Sequence, residues 1–164
     1  MISIKSIYEK AIKHLEVGEL DEAEEALQLY LRDNPSDAMA YNKLGVVFVK
    51  RPNRSEAKRC FQEALKYDVK LVPALNNLGN IAREEGELEQ AIEYYRKAIL
   101  IDPDYPLPHN NLSVVYKQLG RYKDFVREIK TAKRLENRNV LQPKKKQTMW
   151  SLLARIWTKK RDER

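Results

Sequence analysis

One period of 34 residues runs through nearly the whole chain. Set out as 4–37, 38–71, 72–105 and 106–139, the sequence places like residues in like columns. Ala23, Ala57 and Ala91 share a column, with Phe125 in the fourth unit. Leu27, Phe61, Tyr95 and Ile129 align four places on. Leu44, Leu78 and Leu112 align, with Lys10 in the first unit. Gly18, Gly86 and Gly120 align, with Pro52 as the exception. A fixed period of this length predicts stacked helical hairpins, each too thin to bury its own apolar face. The predicted class is therefore all-α, and stacks of this kind bind other proteins far more often than they catalyse reactions.

Within a unit the apolar spacing is helical. In the third, Leu75, Leu78, Ile81 and Ala82 lie on one face of a first helix spanning roughly Pro73 to Glu85. Ala91, Ile92, Tyr95, Ala98 and Ile99 lie on one face of a second, from about Leu88 to Ile101. Gly86 supplies the left-handed residue that closes the first helix, and Asp102-Pro103 ends the second. Pro52 in place of the turn glycine predicts a differently shaped turn over Arg51–Arg54. Val69 in place of a closing proline predicts an atypical second junction.

These columns resemble the tetratricopeptide repeat. The third unit carries Leu78-Gly79, Gly86, Ala91, Tyr95, Ala98 and Asp102-Pro103 in register. The second carries Tyr41, Leu44-Gly45, Phe48, Ala57, Phe61 and Ala64. The fourth carries Leu112, Tyr116, Gly120 and Ala132. The first is degenerate, with Ile7, Lys10 and Ala11 where the aromatic and Leu-Gly belong. The resemblance implies a right-handed superhelical array of four repeats. It also implies a concave groove lined by the first helix of each unit.

Groove candidates on that basis are Asn42, Asn76, Asn77, Asn80, Arg83, Asn110, Asn111 and Lys117, with Tyr8, Ile12, Val46 and Val114 beside them. An asparagine amide both donates and accepts, so a row of them suits the backbone of an extended peptide. The same residues can instead bridge neighbouring helices. Some family members clamp a C-terminal carboxylate with Lys and Asn in fixed columns. Here Tyr8 and Ile12 occupy those columns, and Asn42 and Val46 one unit later, so that specificity is not expected. Arg83, Lys50 and Lys117 leave the groove somewhat basic, which favours an acidic or neutral guest.

Charge follows the same period. The net charges of the four units are −5, +5, −4 and +5, and residues 140–164 add +6, giving the whole-chain +7. Opposite signs on adjacent units favour the in-register stack modestly. An acidic first unit and a basic last unit with its tail also permit head-to-tail self-association.

Past residue 139 the period fails. Asn137–Pro143 reads as a connection, and residues 143–161 as a basic amphipathic helix with Met149, Trp150, Leu153, Ile156 and Trp157 on one face. Three roles compete for it. It can cap the fourth repeat against Phe125, Ile129 and Ala132, lie on an anionic membrane surface, or bind a partner or a second copy.

Other classes are disfavoured. His14 and His109 are the only histidines, and neither has metal-ligand spacing. The five glycines fall in helix and turn columns rather than a phosphate loop. The lone Cys60 excludes an internal disulfide and a thiolate cluster, and its helical setting reads as packing. No enzyme, metal or cofactor is expected. The absence of a leader-like or membrane-spanning stretch gives a cytoplasmic expectation. RNA remains an alternative through the basic tail, against the lack of a basic stripe on the array. The expected function is a non-catalytic scaffold or adaptor holding an extended or helical peptide. The alternative is a scaffold that self-assembles or sits on a membrane surface through the tail.

Overall fold

The structure is a computed structural model describing residues 4–141. Within them lie eight helices and no strand: α1 (Ile4–Val17), α2 (Leu20–Asp33), α3 (Ala38–Lys50), α4 (Arg54–Tyr67), α5 (Val72–Glu84), α6 (Leu88–Ile101), α7 (Pro106–Gln118) and α8 (Tyr122–Leu141). Each packs on its neighbours in the chain, so the hairpins α1–α2, α3–α4, α5–α6 and α7–α8 stack in sequence order. The first helices also touch directly, α1 on α3 and α5 on α7.

The core is a row of clusters at the seams between hairpins. Ala23, Leu27 and Leu31 of α2 pack with Ala40, Leu44 and Val47 of α3 and with Cys60. Ala57 and Phe61 of α4 meet Leu78 and Ile81 of α5. Ala91, Ile92 and Tyr95 of α6 meet Leu112, Val115 and Tyr116 of α7. The column pattern thus becomes a contact rule, in which the second helix of one unit buries the first helix of the next.

One column pair fixes the spacing inside a hairpin. A Cβ built on Gly79 would stand 2.5 Å from the Tyr95 ring, and one on Gly45 would stand 2.5 Å from the Phe61 ring. Glycine is required because the aromatic already fills the place of its side chain. The same two columns hold Ala11 with Leu27 and Ser113 with Ile129. A larger first residue accompanies a smaller second one.

The turn with Pro52 keeps the bond that closes its counterparts. Asn53 N–H donates to the Phe48 carbonyl at 2.9 Å, as Glu87 N–H does to Ala82 at 2.8 Å and Arg121 N–H to Tyr116 at 2.8 Å. The difference is local. Gly86 and Gly120 sit at φ 82° and 68°, whereas Pro52 reaches only 23°. Proline also lacks the N–H with which Gly86 and Gly120 reach the carbonyls of Arg83 and Lys117. The expectation of an atypical junction at Val69 is corrected. Leu71 N–H donates to Asp68 O at 3.0 Å, matching Asp37 to Asn34 and Tyr105 to Asp102. The Asp68 carboxylate further accepts from Lys70 N–H at 3.0 Å, as Asp102 does from Asp104. The aspartate shapes the turn, and the proline beside it is dispensable.

The connection expected from Asn137 is likewise corrected, since α8 runs on to Leu141. Earlier second helices stop where Asn34-Pro35, Asp68 or Asp102-Pro103 turns the chain. The fourth unit has Glu136-Asn137-Arg138 there, with neither the Asx turn nor a proline to end the helix. The proposed amphipathic face of Met149, Trp150, Leu153, Ile156 and Trp157 lies outside the described residues.

Candidate functional site

The candidate groove residues stand on the three first helices α3, α5 and α7, and two of them are buried rather than open. Asn42 is 4% exposed and Asn76 is 5% exposed. Their amides are tied across the seams. Asn77 Nδ2 donates to Asn42 Oδ1 at 3.1 Å, and Asn111 Nδ2 donates to Asn76 Oδ1 at 2.9 Å. Both bonds join residues 35 apart, one column beyond the repeat period. The asparagines form a ladder that bonds α3 to α5 and α5 to α7. Asn110, in the acceptor column, is the last described rung.

The ladder fixes what the groove can offer. Asn77 and Asn111, both half-buried, spend one N–H each on the ladder, and their carbonyl oxygens accept no hydrogen bond among the described residues. A peptide amide lying along α5 and α7 would therefore meet acceptors already held in place, which lowers the entropy lost on binding. Asn80 is spent differently. It accepts from the Tyr95 hydroxyl at 2.8 Å, holding the ring that fills the Gly79 notch.

Arg83 carries the site's distinctive electrostatics. It stands on α5 one turn beyond Asn80, its Nε buried without a hydrogen-bond partner. Burial pushes the Tyr95 hydroxyl up to about 12, with the Arg83 guanidinium opposing that rise. Lys117 lies one period on, exposed on α7. Beside the ladder, Val49, Pro52, Arg54, Asn77, Asn80, Ile81 and Glu84 enclose a recess of about 180 Å³ at the α3–α5 seam. The array thus presents bonded amides, two cations one unit apart and a small recess at the same seam.

No group of three or more His, Cys, Asp or Glu is placed to hold a metal ion among the described residues. His109 is instead a clasp: Nδ1 lies 2.8 Å from Glu128 on α8, and Nε2 lies 3.2 Å from the Pro103 carbonyl. Cys60 is buried, which pushes its thiol up to about 11, so little nucleophilic thiolate forms near neutral pH. No described helix is long and apolar enough to cross a membrane.

Sequence reasoning missed the inter-unit ion pairs in detail, although the alternating charge signalled them. Arg51 pairs with Asp21 and Glu24, Arg54 with Glu84, Lys58 with Glu85, and Arg138 with Asp104. Every one joins a basic unit to an acidic neighbour.

A family model described as tetratricopeptide repeat matches residues 8–53, and a second, described as TPR repeat, matches residues 79–120. The chain is a tetratricopeptide repeat protein. It is 37% identical over 99 residues to the Hordeum vulgare protein SPINDLY, covering 58% of this chain and 10% of that one. It is 28% identical over 111 residues to the tetratricopeptide repeat domain-containing protein PYG7, chloroplastic, of Arabidopsis thaliana, covering 68% and 36%. It spans less than half the length of these curated relatives. Among solved structures, PilF of Pseudomonas aeruginosa superposes with a TM-score of 0.75 at 25% identity, covering 83% of this chain and 62% of that one. A crystal structure of MamA superposes at 0.73 with 22% identity, covering 85% and 81%, a likeness of fold.

Proposed function

We propose that this tetratricopeptide array is a non-catalytic scaffold whose first-helix face holds an extended, acid-bearing segment of a partner protein. The observation that carries the reading is the asparagine ladder. It holds Asn77 and Asn111 in fixed positions, with their carbonyl oxygens free for backbone amides. Each such bond contributes about 0.5–1.5 kcal/mol net, so a few of them anchor a chain with little demand on its sequence. Arg83 and Lys117 add the preference. A carboxylate lying along this face would meet the Arg83 guanidinium and the Lys117 ammonium, and charge-assisted bonds of this kind are roughly twice as strong as neutral ones. Asn42 and Asn76 support the groove from beneath, and Asn80 does so through Tyr95.

The test is selection of binders from a random peptide library by the full chain. Peptides enriched in Asp and Glu are expected, with the enrichment lost in the Arg83→Gln, Lys117→Gln double variant. Identical enriched sets from the two proteins would remove the groove assignment.

A further inference from the structure

We infer that the open outer face of the α1–α2 hairpin is a receptor slot for the basic tail of a second copy of this chain. This is an interaction separate from the groove. In the other three hairpins the corresponding face is covered by the second helix of the preceding unit. Leu44 and Val47 lie on α2, Leu78 and Ile81 on α4, and Leu112 and Val115 on α6. Cys60 likewise packs on the first unit, and Tyr94 on the second. The first unit has Lys10, Lys13 and Ala26 in those three columns. What a preceding helix would fill is an open cleft of about 290 Å³. Ile7, Ala26 and Leu29 form its apolar part, with Glu22 and Glu25 on α2 and Lys10 and His14 on α1 around them.

The chain's own tail has the pattern of the helices that cover the other three hairpins. Second helices face the next unit through residues spaced 0, 4, 7 and 8: Ala23, Leu27, Tyr30 and Leu31 in α2, and Ala57, Phe61, Ala64 and Leu65 in α4. Met149, Leu153, Ile156 and Trp157 repeat that spacing. Charge selects the same partner. Among the described residues, every ion pair between hairpins joins units of opposite sign, and the units run −5, +5, −4, +5. A tail of +6 set before the acidic first unit extends the alternation, whereas set on its own fourth unit it would meet +5. Lys10 then faces an indole rather than a leucine, a cation–π arrangement.

A tail cannot serve its own slot. Residues 142–148 reach about 25 Å when fully extended. Three packed units lie between the fourth hairpin and the cleft, and helix layers are roughly 8–10 Å apart. The contact is therefore heterologous, joining copies head to tail into a filament or a closed ring.

The experiment uses the full chain in sedimentation velocity at low salt. Mass should rise with concentration and fall towards the monomer in 0.5 M salt, by roughly tenfold or more in association constant. A slot variant, Glu22→Lys with Glu25→Lys and Leu29→Glu, changes exposed side chains. A tail variant is Trp150→Ser with Trp157→Ser. Each alone should be monomeric, and their mixture should form a 1:1 dimer that grows no further. Both tryptophans of the protein lie in the tail, so their emission should shift to the blue only as association proceeds. A wild-type monomer whose emission is blue-shifted at every concentration would overturn the inference in favour of an intramolecular cap. A slot variant that still self-associates would overturn it as well.

Discussion

Gly79 and Tyr95 occupy one volume between them. Gly79→Ala would gain up to about 1 kcal/mol of helix propensity, but its methyl would enter the ring at 2.5 Å. Overpacking of that kind costs about 1–3 kcal/mol, so a net loss in urea-denaturation stability is expected. Tyr95→Leu in the same chain recreates the Ala11–Leu27 combination of the first unit, so the double variant should lose less than the two single losses combined. Tyr95 also sets an alkaline limit. Its hydroxyl ionises near 12 in the folded protein against about 10 in the unfolded one. Below pH 10 both states keep the proton. As pH rises from 10 to 12 the unfolded state alone loses it, and up to about 2–3 kcal/mol of stability disappears. Urea titrations at pH 8 and pH 11 should show that loss, and Tyr95→Phe should reduce it.

Turns and junctions respond to substitution in opposite directions. Pro52 sits at φ 23° in a position where its counterparts are glycines beyond 65°. Relief of that strain, about 1–3 kcal/mol, should outweigh the freedom glycine gives the unfolded chain, so Pro52→Gly should leave a smaller net gain in stability. Val69 is 73% exposed, at a site where two sister junctions carry proline, and its N–H makes no backbone hydrogen bond. Val69→Pro should stabilise by about 0.4–1 kcal/mol by restricting the unfolded chain. Thermal melts of the two variants check both. The hairpins and their seams were legible in sequence because periodicity and burial are the same fact seen twice. Two features at this scale were less plain. The 68–71 junction looked irregular because its proline was missing, while its aspartate did the work. The ladder was legible only as an alternative, because an asparagine that bridges helices and one that faces a ligand are identical in sequence; the bonds between Asn42 and Asn77 and between Asn76 and Asn111 decide for bridging.

Across the whole array, cohesion comes from apolar clusters and ion pairs at all three seams, with the asparagine ladder added at the second and third. The ion pairs should respond to salt. Arg51 holds both Asp21 and Glu24 across the first seam. Arg51→Gln should cost about 1 kcal/mol at low ionic strength and less in 1 M salt, as measured by urea titration of both proteins in each buffer. The alternation that makes these pairs has a further consequence for how such an array can lengthen. Duplicating the third unit alone would preserve the helical period, the ladder and the Gly–Tyr notch. It would also set Glu84 and Glu85 of one copy against another acidic unit, with no Arg54 or Lys58 to meet them. Duplicating the second and third units together keeps every seam mixed in sign. The module by which this chain can be extended, in a gene or on a designer's bench, is therefore the 68-residue pair.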